Sequence, residues 1–284
     1  MAASILRQHH GAMVKRRAVL GIDAAWTAGQ PSGVALVAET DGGWACAAAA
    51  PSYASFIALA LNGTAIDWSG PLDAGSPDPQ ALKKAAVALL PARHDFSLTI
   101  TVDMPVSKKA IVTRREADNA VSRRFGAAGC GTHSPSPERP GRIGAALTKG
   151  FGELGHRVAA VGDSVEGALL EVYPHPALLV LLGRDRRVPY KVSRSRQYWP
   201  EASPTERVDL LLREFRQIHA ALAARIENVD VPLPRSLPTL SSLKRFEDTL
   251  DALISAWVGM ECLEGRGDAF GDSTAAIWCP RDAR

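Results

Sequence analysis

Ala18-Val-Leu-Gly-Ile-Asp23 is a short apolar run ending in a carboxylate, and Gly33-Val-Ala-Leu-Val-Ala38 is a second run behind the turn-forming Gln30-Pro-Ser-Gly33. Runs of this length suit strands, and proline and glycine between them supply turn chemistry, so the pair reads as an antiparallel hairpin. Trp44 to Ala50 adds a third strand to the meander, although its alanines have low β propensity.

Working outward, Asp73 to Pro79 is a turn-rich loop. Asp78 before Pro79 has the form of an N-cap with proline at the first helical position, opening a helix through Leu90. Ser97-Leu-Thr-Ile-Thr-Val-Asp103 is the clearest strand, alternating and β-branched, and Pro105 ends it. Arg114 to Pro140 turns basic, then rich in Gly, Ser and Pro, and belongs to an excursion from the core over about 107–160. Arg142 to Leu154 reads as a helix, and Gly167 to Tyr173 as a strand closed by Pro174-His175-Pro176. Ser203-Pro204-Thr205-Glu206 has capping-box spacing and opens a long amphipathic helix carrying Val208, Leu211, Phe215, Ile218 and Leu222. After the proline-rich linker Val231 to Pro238, Leu243, Phe246, Leu250, Leu253 and Trp257 recur at helical spacing. The order is three strands, a helix, a strand, helical material, a strand, then helices. Ribonuclease H-like and actin-like domains share this opening.

The 284 residues are 46% apolar and 22% charged, which fits one large α/β domain over 18–284 behind a basic leader at 1–17. With 33 basic against 30 acidic residues the net charge is only +3, which excludes a polycation held to nucleic acid by bulk charge. Cys46, Cys130, Cys262 and Cys279 form no CxxC pair, so neither a zinc ribbon nor a thioredoxin-type site is signalled. Such scattered thiols suit a reducing compartment, and the expected location is cytoplasmic. No apolar run reaches the roughly 18 residues that span a bilayer, so no membrane partner is expected.

Asp23 and Asp103 each end an apolar strand, and Glu171 lies inside one, Leu169-Leu-Glu-Val-Tyr173. An ionised carboxylate among apolar neighbours costs several kcal/mol unless it is paired or metal-bound. Asp251 lies on the last helix, with Asp248 and Ser255 near the same face and the small Ala252 and Ala256 beside it allowing close helix approach. Four carboxylates from separate elements suit Mg2+ or Mn2+, which take oxygen ligands, water and substrate phosphate, singly or as a two-ion pair. A lone Asp after a strand is, by contrast, commonly a turn-former, and Asp251 by itself would be an ordinary helix residue.

Gly21-Ile-Asp-Ala-Ala-Trp26, Val102-Asp-Met-Pro105, Glu171-Val-Tyr-Pro-His-Pro176, Asp251-Ala-Leu-Ile-Ser-Ala-Trp257 and Gly271-Asp272 leading into Ala276-Ile-Trp278 resemble the family called domain of unknown function 429. The resemblance runs from about Val19 to Pro280, and the order of its short motifs carries most of its specificity. It implies a predicted nuclease of ribonuclease H-like fold: a mixed sheet, antiparallel meander plus parallel strands, flanked by helices. By the same resemblance Asp23 is the first-strand acid, Glu171 a later-strand acid and Asp251 the acid of the C-terminal helix, with Asp103 a further contributor.

The expected activity is therefore metal-dependent hydrolysis of a phosphodiester, with Asp23, Asp103, Glu171 and Asp251 as catalytic and metal-holding residues and nucleic acid or a nucleotide as partner. Arg115 and Arg124, in the basic run with Arg114 and Arg123, would contact phosphates through guanidinium, and Lys191 in Pro189-Tyr-Lys191 would hold a phosphate or support a carboxylate. Ion pairing within a solvated helix is the competing account of the arginines, and a surface position that of the lysine. His175, near Glu171, would relay protons or serve structure. Gly150-Phe-Gly152-Glu-Leu-Gly155 matches the dinucleotide fingerprint, but it follows a helical stretch where that motif needs a strand, so no dinucleotide cofactor is expected. Two rivals stand beside the nuclease: a non-catalytic nucleotide or nucleic-acid binding module on the same fold, and an actin-like phosphotransferase, for which the chain is short and unrepeated.

Overall fold

In the computed structural model, which describes residues 15–282 except 28, 140, 141, 236 and 237, the hairpin run is covered on both faces. Ala18 to Ile22 are all buried, which is why that strand reads as continuously apolar instead of alternating. The strand, β1 (Arg16–Asp23), pairs antiparallel with β2 (Gly33–Thr40), and β2 pairs with β3 (Gly43–Ala50) through a register shift between Leu36 and Val37. The expected leader over 1–17 is corrected at its end, since Arg16 and Arg17 belong to β1; residues 1–14 lie outside the described residues.

Helices α1 (Tyr53–Asn62) and α2 (Pro79–Leu89) follow, then β4 (Phe96–Val102), α3 (Glu116–Phe125), α4 (Arg142–Glu153) and β5 (Leu169–Val172). Next come α5 (Pro174–Leu182), the single turn α6 (Ser195–Tyr198), α7 (Pro204–Ala223) and α8 (Leu240–Leu263), with β6 (Gly267–Gly271) and β7 (Ala276–Pro280) closing the chain. Among the described residues the strands form one seven-stranded sheet in the order β3-β2-β1-β4-β5-β7-β6. β1, β4, β5 and β7 run parallel, and β6 returns antiparallel at the edge.

Each face of the sheet buries its own core. α1, α2 and α4 cover Leu20, Ile22, Leu36, Ile100 and Val102 with Phe56, Leu82 and Phe151. On the other face α8 lies against Val19, Val37 and Val172, and α5 and α7 pack around it through Leu178, Leu211, Phe215 and Ile218. A smaller core joins Val121 and Phe125 of α3 to Ile277 and Cys279 of β7, so the expected excursion is partly a packed extension of the sheet edge. No helix among the described residues is long and apolar enough to cross a membrane.

Three expectations need correction. The chain does not finish in helices, because β6 and β7 extend the sheet beyond β5. Pro174-His175-Pro176 does close β5, but it also begins α5, whose first turn leaves N–H groups unbonded anyway and so accommodates proline. α1, capped by Ser52, went unread. The glycines at 150, 152 and 155 lie in and just beyond the end of α4, and not between a strand and a helix.

Candidate functional site

The parallel strands β1, β4 and β5 end at one edge of the sheet, the edge at which open α/β sheets commonly carry their ligands. Ile22, Val102 and Glu171 align in register, and the Asp103 amide donates to the Ile22 carbonyl at 2.9 Å. Asp23 and Asp103 are thus one residue further on, side by side, and side chains alternate along a strand. They share the face of Val19 and Val172, under α8, whereas Glu171 shares the face of Ile22 and Val102.

α8 comes close because two positions on the sheet have no side chain. A Cβ at Gly21 would run into the Ala252 carbonyl and the Ala256 nitrogen, and one at Gly33 into the Asp248 carbonyl. Flush packing there brings Asp248 and Asp251 beside Asp23, and both are buried. Asp23 is the common electrostatic neighbour of the group. Burial first, and then the charge of Asp23, holds Asp103 and Asp248 well above the usual carboxylate range. Asp251 is raised to about 7 by burial, against the pull of Lys191 and with the push of Asp23.

Most of these acids have partners. The Tyr190 hydroxyl donates to Asp251 at 2.6 Å, and Lys191 donates to the other oxygen of Asp251. Lys191 also lies 3.5 Å from Glu247, which accepts from the Val192 amide at 2.5 Å and from Lys244 at 3.0 Å. Lys244 also pairs with Asp248. Burial works against ionised Glu247, but the two lysines outweigh it and hold this carboxyl below its ordinary value. On the other face Arg115 grips both oxygens of Glu171, at 2.6 and 2.7 Å, and both oxygens of Asp118, at 2.9 and 3.0 Å. The Val106 amide completes Glu171 at 2.9 Å. Even so, burial raises Glu171 above its ordinary range.

Asp23 and Asp103 are the exceptions: neither carboxylate accepts a hydrogen bond from a described residue. Asp103 and Glu171 also line a cleft of about 50 Å³ with Trp26, His133 and Tyr173.

The structure thus brings Asp23, Asp103 and Asp251 together and turns Glu171 to the far face, close enough to add to the charge felt by Asp103. Arg115 and Lys191, expected to meet substrate phosphates, are committed to Glu171 and Asp118 and to Asp251 and Glu247, because each lies within reach of buried acids that need a counter-charge. Arg124 is exposed on α3 and lies over the Phe125 ring. Among the described residues no group of three or more His, Cys, Asp or Glu side chains is arranged to hold a metal ion. The four-acid set therefore does not fit a shared ion in this arrangement. The Asp23–Asp103 pair does fit one, offering uncommitted hard oxygens in the number Mg2+ usually takes from protein. Sequence reasoning passed over Lys244, Glu247 and Tyr190. The spacing of Lys244, Glu247, Asp248 and Asp251 at three and four residues was the signal that would have found the first two.

Fold and site together make this a mixed α/β protein with a buried acid–lysine cluster at the ends of its parallel strands. The chain belongs to the family described as Protein of unknown function (DUF429), whose model matches residues 21–276. No curated protein matches it.

Proposed function

We propose that the chain is a metal-dependent phosphodiester hydrolase of ribonuclease H-like type, acting on nucleic acid or a nucleotide. The observation that carries this reading is the Asp23–Asp103 pair, two carboxylates without donors at the ends of adjacent parallel strands. The strand order β3-β2-β1-β4-β5, a meander followed by parallel strands, supports the ribonuclease H-like part. Asp23 and Asp103 would hold Mg2+ or Mn2+, which when bound polarises phosphoryl oxygen and makes water a better nucleophile. Asp103 also faces the developing reaction as a carboxyl with raised proton affinity, suited to taking a proton from an attacking water. Lys191 and Lys244 hold Asp251, Glu247 and Asp248 in place around the pair and limit the negative charge a phosphate would meet.

The lysine pairing of Asp251 and Asp248 equally favours a second reading, a binding module on the same fold without catalysis. The two separate cleanly by titrating Mn2+ into wild type, D23N and D103N and following metal binding together with cleavage of a mixed DNA and RNA panel. The hydrolase reading expects each variant to weaken metal binding and cut the rate at least about a hundredfold. Metal binding unaffected by either change, with no cleavage by wild type, would leave only the binding module.

A further inference from the structure

The 187–198 segment and the turn around 126–134 bring positive charge that the acid cluster does not absorb. Lys191 is committed to Asp251 and Glu247, but among the described residues no carboxylate pairs with Arg187, Arg194 or His133. Arg187 is well anchored. Its amide donates to the Ala128 carbonyl at 2.8 Å, Nη1 donates to the Gly129 carbonyl at 3.4 Å, and Nη2 donates to Nε2 of His175. A guanidinium only donates, so Nε2 of His175 is the acceptor and the ring proton of the neutral imidazole sits on Nδ1.

That ring is 4% exposed, edge-on to Tyr173 at 5.3 Å and to Tyr190 at 5.5 Å between centroids. Its Nδ1 has no hydrogen-bond partner, nor have the buried Nε of Arg187 and the buried hydroxyl of Tyr198. Burial, followed by Lys191, Arg187, Arg194 and His133, holds His175 well below the usual imidazole range, so it contributes an N–H and no charge of its own. Three buried groups able to donate, surrounded by cations with no carboxylate of their own, lack an acceptor. A buried donor left unmet costs about 1–3 kcal/mol, so an oxyanion satisfies this neighbourhood where another side chain does not. His133 ties it to the acid pair, because His133 and Asp103 line the same cleft.

We propose that Arg187, Arg194 and His133, with Nδ1–H of His175 and the hydroxyl of Tyr198, form a phosphate-binding cradle beside the Asp23–Asp103 pair. Phosphate is favoured over carboxylate because donors come from several elements and a tetrahedral oxyanion accepts from several directions. Its role as the anchor of a scissile phosphodiester rests on the hydrolase reading; its existence does not.

The test is calorimetric titration of inorganic phosphate into the full chain in EDTA. Wild type is expected to bind, R194Q to bind about tenfold more weakly as one charge-assisted contact is lost, and R196Q, exposed two residues on, to bind like wild type. Should R194Q fail to fold by circular dichroism, H133Q, altered at an exposed position, gives the same readout. No binding by wild type, or equal binding by wild type and the folded variant, overturns the cradle. Because metal is absent, phosphate binding without nuclease activity would remove the hydrolase and keep the cradle. Cleavage by a protein whose phosphate affinity ignores Arg194 and His133 would do the reverse.

Discussion

Arg115 shows how far one side chain sets the character of this site. It neutralises two buried acids, Glu171 and Asp118, from a position that is itself largely buried. Replacing one partner of a buried ion pair leaves an uncompensated charge, at a cost of about 3–5 kcal/mol. R115M should therefore lower the unfolding free energy by that amount near neutral pH, read by urea denaturation. The gap should narrow in acid, where Glu171 and Asp118 take up protons. An equal loss at both pH values would mean that packing and not charge had been removed. Parity separates Glu171 from Asp23 and Asp103: one step along a strand moves a side chain to the other face. That the strand held a buried carboxylate was legible in Leu169-Leu-Glu-Val; which face it used was not, because both faces are apolar.

At the scale of elements, α8 positions the site and the glycines beneath it fix its height. G21A would push the helix from the sheet, since backbone of Ala252 and Ala256 occupies the space and cannot rotate away. Overpacking of this kind costs about 1–3 kcal/mol, and the variant should also weaken Mn2+ binding by displacing Asp251 and Asp248 from Asp23. Unchanged stability and metal affinity would show that the helix is free to shift. The N-terminus of α7 is simpler: Ser203 accepts from the Glu206 amide at 3.3 Å while Glu206 accepts from the Ser203 amide at 2.7 Å. S203A should cost about 1 kcal/mol in thermal denaturation, the ordinary value of a cap. These helices were legible because caps and 3.6-residue periodicity are local. α5 was not, because its prolines serve equally to end a strand and to start a helix. The terminal strands β6 and β7 are five residues each, and their place beside β5 depends on contacts across most of the chain.

Taken whole, the molecule concentrates acids whose proton affinity is raised by folding: Asp103, Asp248, Glu171, and Asp251 at about 7. Each binds its proton more tightly when folded than when unfolded. Their contribution is therefore full below the unfolded value, about pH 4, and is lost as pH rises toward about 7. In EDTA, the stability of D251N relative to wild type should accordingly become more favourable between about pH 4.5 and 7.5, as wild type loses what the neutral amide never had. A difference that stays constant over that range would mean Lys191 keeps Asp251 ionised throughout.

The chain's own residues dictated the three-strand meander, the long capped helices and the presence of carboxylates where apolar neighbours make them expensive, because strand and helix periodicity and turn chemistry act over a few residues. Only tertiary packing decided which acids meet. Glycines at Gly21 and Gly33 let α8 descend on the sheet, strand parity sent Glu171 away, and Lys191, Lys244 and Arg115 arrived from distant segments to neutralise all but Asp23 and Asp103. Coulomb forces in a buried space act on distance in three dimensions, and separation along the chain does not encode it.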